Sequence, residues 1–79
     1  MAFYHVALSL TRPPNYDDAA MVMFLRQVID EAACIAIDVT AEGFVVESDA
    51  AGLEVLESTL RTKLAVRGGS LDRLIARRL

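Results

Sequence analysis

The sequence predicts an α+β domain in the order β-α-β-β-α with a short C-terminal helix. Three observations carry this: stretches of strict apolar and polar alternation, two stretches with apolar residues at three- and four-residue spacing, and turn-forming residues between them. A length of 79 residues leaves room for one such domain, taken as residues 1–79. A chain this short buries only about 60 % of the surface its unfolded form exposes, so self-association would add to its stability.

Residues 3–12 alternate, with Tyr4, Val6, Leu8 and Leu10 on one side and Phe3, His5, Ala7, Ser9 and Thr11 on the other. This is a strand with one buried face. Pro13 and Pro14 stop it, and Asn15, followed three residues later by Asp18, is placed to cap a helix starting near Tyr16. The apolar stripe of that helix is Met21, Phe24, Leu25, Val28, Ile29 and Ala32, with Arg26, Gln27, Asp30 and Glu31 opposite.

Residues 34–40 alternate again, which directs Ile35, Ile37 and Val39 inward and Cys34, Ala36, Asp38 and Thr40 outward. A turn at Ala41, Glu42 and Gly43 leads into a third strand over residues 44–48, with Gly43 available for a positive φ. A two-residue Glu42-Gly43 loop directs Phe44 and Val46 inward and sets Asp38 opposite Glu47. A three-residue loop with a Gly43 bulge turns Phe44 and Val46 outward. Hydrophobicity favours the first register.

Ser48 or Asp49 is placed to cap a second helix with Leu53, Leu56, Leu60 and Leu64 beneath Glu54, Glu57, Arg61 and Lys63. Gly68 and Gly69 end it, and Ser70 can cap a final helix carrying Leu71, Leu74 and Ile75 on one side and Arg73 and Arg77 on another. The whole corresponds to the first five elements of a ferredoxin-like split βαβ: a three-stranded antiparallel sheet with its helices packed on one face. The third strand then lies between the first and second, and strand 1 is an uncovered apolar edge open to pairing. The alternative is a fourth strand at residues 64–67.

Charge is unevenly distributed behind a formal net charge of −3. Residues 1–60 carry Arg12 and Arg26 against ten acids, a net −8, and residues 61–79 carry six basic side chains against Asp72, a net +5. A composition 54 % hydrophobic, a mean hydropathy of +0.38 and the lack of low-complexity tracts argue for a folded chain. A single cysteine fits a reducing compartment. With no secretory leader pattern and no apolar run of membrane-spanning length, the chain is expected to be soluble and cytoplasmic.

Catalytic signatures are scarce. Gly68, Gly69 and Ser70 precede Leu71 rather than the Lys-Ser/Thr of a phosphate loop, and no Gly-x-Gly-x-x-Gly occurs. His5 and Cys34 could share the outer face, but strand 3 separates them, so no catalytic residue is assigned. No cofactor or metal is expected, although Asp38 opposite Glu47 with His5 nearby could weakly hold a divalent cation. Cys34 is a small packed hydrophobe or, if the outer face meets its own copy, an intermolecular disulfide.

The expected activity is therefore binding. Asp30, Glu31, Asp38, Glu47, Glu54 and Glu57 form the candidate protein-binding surface, directed at a larger protein with a basic surface, such as a nucleic-acid-handling complex. Phage-encoded anti-CRISPR inhibitors are one group of small, acidic, motif-poor proteins that act in this way, a likeness of size and charge only. Phe3, His5, Ala7, Cys34 and Ala36 form the candidate interface of a homodimer across the outer sheet face. Two alternatives remain. One is a nucleic-acid-binding accessory domain or autoregulator using Arg67, Arg73, Arg77 and Arg78. The other is a metabolite-binding or enzymatic dimer whose cavity is lined by His5, Asp38 and Glu47.

Overall fold

The computed structural model describes residues 2–12, 14–66 and 70–79. Its elements are β1 (Ala2–Thr11), α1 (Asp18–Glu31), β2 (Ile35–Thr40), β3 (Gly43–Ser48), α2 (Leu53–Val66) and β4 (Ser70–Arg78). The α+β class stands, and the final element is a strand rather than the expected helix. It completes a four-stranded antiparallel sheet of order β2-β3-β1-β4, the full split β-α-β pattern.

This closing strand changes the place of β1. Tyr4 to Thr11 pair with Arg78 to Ser70, and Ala2 to Ala7 pair with Ser48 to Gly43 on the other side. β1 is central, so the expected open edge does not exist, and the edges are β2 and β4. Of the alternative closing strand at residues 64–67, residues 64–66 lie within α2 and Arg67 lies outside the described residues. The reason β4 reads as helical is a β-bulge: the register steps from Ser9↔Arg73 to Leu10↔Leu71, leaving Asp72 without a ladder partner. Leu71 and Leu74 both pack on the core at a spacing of three, the interval that suggests a helix. Thr11 Oγ1 donates to the Asp72 carboxylate at 3.5 Å.

Helix α1 buries Met21, Phe24, Leu25, Val28 and Ile29, the stripe its periodicity demands, with Ala32 half-buried at its C-cap. Its N-cap is Asp17 rather than Asn15: the Asp17 carboxylate accepts from the Ala20 N–H at 2.8 Å, and Asn15 adopts φ 69° in the preceding turn. Arg12 pairs with Asp18 at 2.8 Å and ties β1 to the start of α1. Helix α2 buries Leu56, Leu60 and Leu64, each gaining about 2 kcal/mol of transfer free energy. Neither Ser48 nor Asp49 caps it. Ser48 is buried and its hydroxyl accepts from the Ala50 N–H at 3.1 Å, three residues before α2 begins.

Both helices cover one face of the sheet, and the core lies between them and Tyr4, Val6, Leu8, Phe44, Val46, Leu74 and Ala76. Among the described residues every buried side-chain nitrogen or oxygen has a hydrogen-bond partner. Arg61 reaches from α2 to donate to the Leu74 carbonyl at 3.1 Å, which satisfies one acceptor near the β4 edge. Among the described residues no helix is long and apolar enough to cross a membrane.

The hairpin keeps Phe44 and Val46 inward, as hydrophobicity favours, with its loop one residue earlier than expected. Thr40 pairs with Gly43 and Val39 with Phe44, so Ala41 and Glu42 form the turn. Thr40 Oγ1 pins it by donating to the Gly43 carbonyl at 3.1 Å and accepting from the Glu42 N–H at 3.3 Å. A second bulge, at Ile37, shifts the pairing from Asp38↔Val45 to Ala36↔Val46.

Candidate functional site

The bulge at Ile37 decides which side chains of β2 face outward. Cys34, Ala36 and Val39 pack against the core, while Ile35 and Ile37 are 52 % and 56 % exposed. The expected orientation is reversed at Cys34, Ile35, Ala36 and Ile37 and kept at Asp38, Val39 and Thr40. Cys34 and Ala36 are therefore not on the outer sheet face, and neither can line a dimer interface there. Cys34 is a free, buried thiol whose Sγ donates to the Ala32 carbonyl at 3.6 Å, which also removes the surface disulfide and any pairing with His5.

The earlier turn, at Ala41 and Glu42, separates Asp38 from Glu47. Asp38 stands opposite Val45, and Glu47 stands opposite Ile35, so the two carboxylates do not face each other across the hairpin. Among the described residues no group of three or more His, Cys, Asp and Glu side chains is arranged to hold a metal ion.

The outer face is built as rows across the four strands. One row runs Asp38, Val45, His5, Arg77, from β2 through β3 and β1 to β4. The row on one side of it runs Ile35, Glu47, Phe3, with the Leu79 N–H donating to the Phe3 carbonyl at 2.9 Å. The row on the other side runs Thr40, Gly43, Ala7, Ile75. Phe3, Ile35 and Ile75 are exposed large apolar side chains on this face. Acids thus occupy the β2 and β3 side, and Arg73 and Arg77 the β4 side. A depression of about 300 Å³ over Gly43 brings His5 and Asp38 together with Glu42 and leaves out Glu47, so the trio expected for a ligand cavity is split.

The other expected acids, Asp30, Glu31, Glu47, Glu54 and Glu57, gather at one end of the molecule, where β4 also brings Arg78. The end of α1 with Asp30 and Glu31 leads into the start of β2, which pairs with the end of β3 at Glu47, and Asp49, Glu54 and Glu57 follow into α2. Five of the six expected protein-binding residues share this end, and Asp38 lies apart on the sheet face. Asp30 and Glu31 sit in the last turn of α1, where the helix carries partial negative charge, and that turn holds no basic residue.

Of the expected basic residues, Arg73, Arg77 and Arg78 are exposed on β4, and Arg67 lies outside the described residues, as do Gly68 and Gly69. Arg73 and Arg77 belong to the outer face. Arg78, opposite Tyr4, lines a separate hollow of about 440 Å³ with Ser48 and Asp49. Glu42 and Asp49, expected as turn and cap residues, are not among the expected site residues, because their place at a site depends on which strand ends the fold brings together. That Arg73 and Arg77 share a face was present in the sequence as the alternation Arg73, Ile75, Arg77 against Leu74 and Ala76, whereas their placement beside Ser9 and His5 comes from the pairing of β4 with β1. No family model, no curated protein and no solved structure matches the chain.

Proposed function

We propose that this protein is a non-catalytic protein-binding module that acts as an inhibitor or adaptor on a larger nucleic-acid-handling complex, laying its acidic end against a basic surface. The observation that carries this reading is the placement of Asp30 and Glu31 at the C-terminal turn of α1. Acids there oppose the helix dipole and cost about 0.3–1 kcal/mol each at an exposed site. The helix dipole does not favour that arrangement, whereas a basic partner surface does. Glu47, Asp49, Glu54 and Glu57 extend the same negative end. A negative end of this kind competes with nucleic acid for one positive groove, since both are drawn by the same potential. Competition of the anti-CRISPR type is the specific form proposed.

The test is capture of partners on tagged protein with nuclease present, comparing the wild type with a variant carrying Asp30→Lys, Glu54→Lys and Glu57→Lys. The reading expects a nuclease-resistant complex that loses its own nucleic-acid binding when the domain is added, and that the variant fails to hold. Capture that vanishes with nuclease, or that the variant retains at low salt, sinks it.

A second reading has one observation in its favour. Arg73 and Arg77 lie on one face of an edge strand, about 13 Å apart along it, and can follow a phosphate backbone. This is the accessory-domain alternative, and a steep salt dependence of oligonucleotide binding that Arg77→Ala makes shallower is its mark.

A further inference from the structure

We infer that the uncovered sheet face binds a second copy of this chain, in an isologous dimer whose two-fold axis runs parallel to the strands. The argument starts from the charge order of the central row. Asp38 stands at the β2 edge and Arg77 at the β4 edge, with Val45 and His5 between them. The two charges are three strand spacings apart, about 14 Å, too far for a pair within one chain. The face therefore carries Asp38 along one long side, with Glu47 one strand in on β3, and Arg73 and Arg77 along the other, and is uncharged at Val45, Ala7 and Gly43 in its middle.

Such a face is complementary to itself in one orientation only. An axis parallel to the strands, over the boundary between β3 and β1, reverses the strand order of the facing copy. It lays β2 on the partner's β4 and β3 on the partner's β1. Asp38 then meets the partner's Arg77, and symmetry forms the pair twice. An axis perpendicular to the strands lays β2 on β2 and β4 on β4, which opposes like charges at both edges. Rows are preserved by the favoured axis, so the exposed Phe3 and Ile35 row faces its own copy, and Ala7 meets the partner's Gly43. The small residues at that crossing let the two sheets approach, and the exposed apolar side chains supply the area lost from water. This inference does not rest on the proposed function: the acidic end shares only Glu47 with this face, and neither Asp38 nor Arg77 belongs to it.

Sedimentation over a range of concentrations tests it with four samples: wild type, Asp38→Arg, Arg77→Asp, and the double swap. Wild type is expected to be dimeric, and each single reversal to weaken the dimer at least about tenfold, because it places two repulsive contacts in the interface. The double swap is expected to restore the dimer, and mixing the two single variants to form a heterodimer. Both positions are exposed, and an unchanged far-ultraviolet spectrum and melting temperature identify folded variants; Ala7→Arg provides a second, uncharged-to-bulky block of the same face. A wild type that stays monomeric up to about 1 mM, alone or with another protein or a nucleic acid on this face, overturns the inference. So do single variants as dimeric as wild type, or a double swap that remains monomeric.

Discussion

Gly43 lies so close to β1 that a Cβ added to it would stand 2.4 Å from the Val6 carbonyl oxygen. The obstacle is backbone in the centre of the sheet, which no side-chain rotation relieves. Gly43→Ala is therefore expected to destabilise the fold by about 1–3 kcal/mol, read as a lower denaturation midpoint. The requirement for glycine here is close approach rather than the positive φ that the turn suggested. An unchanged midpoint would show that the two strands separate more readily than this register implies.

Ala33 adopts φ 58° directly after α1, where the Ala33 N–H donates to the Asp30 carbonyl and the Cys34 N–H to the Ile29 carbonyl, both near 3 Å. This is a Schellman closure with alanine in the position glycine usually holds. Ala33→Gly relieves the left-handed strain and adds unfolded-state entropy, with the first effect the larger. A gain of about 0.5 kcal/mol in denaturant unfolding is expected, and a loss would contradict the assigned conformation.

Asp17 caps α1 through a single short hydrogen bond to the Ala20 N–H. Asp17→Ala is expected to cost about 1 kcal/mol, and Asp17→Ser much less, because a hydroxyl accepts the same bond. Asn15→Ala tests the same point from the other side. It removes a residue tolerant of positive φ without removing the cap, so helix content at α1 should survive it.

At the opposite end of α1, Asp30→Lys exchanges an unfavourable charge for a favourable one. Stability should rise by about 0.3–1 kcal/mol at low salt and by less at high salt. The same substitution is expected to weaken capture of a basic partner, so stability and binding should move in opposite directions.

Cys34 is enclosed by the core. Thiol reagents are expected to label it only as fast as the chain opens, with full labelling in denaturant. Rapid labelling of the native protein would restore the outer-face position that the alternation of residues 34–40 suggests.

The helices and the central strand were legible in the sequence because each is a regular element pressed on one face against the core. Met21 to Ile29 and Leu56 to Leu64 repeat at helical spacing, Tyr4 to Leu8 repeat at two, and burial follows those periods. The inward choice of Phe44 and Val46 was legible for the same reason. Tertiary structure alone decided β4 and the facing of the first half of β2, since a bulge adds a residue and reverses every side chain beyond it, and no local period records it. At Asp72 this made a strand resemble a helix, and with β4 unseen the sheet lacked a strand and β1 had an open edge. At Ile37 it turned Ile35 out and Ala36 in, while the one-residue shift of the turn parted Asp38 from Glu47. The charge split between the two parts of the chain was likewise visible in one dimension. That it becomes a gradient across one sheet face follows from β4 pairing with β1, a contact between residues some seventy positions apart at its widest, which only the folded chain brings together.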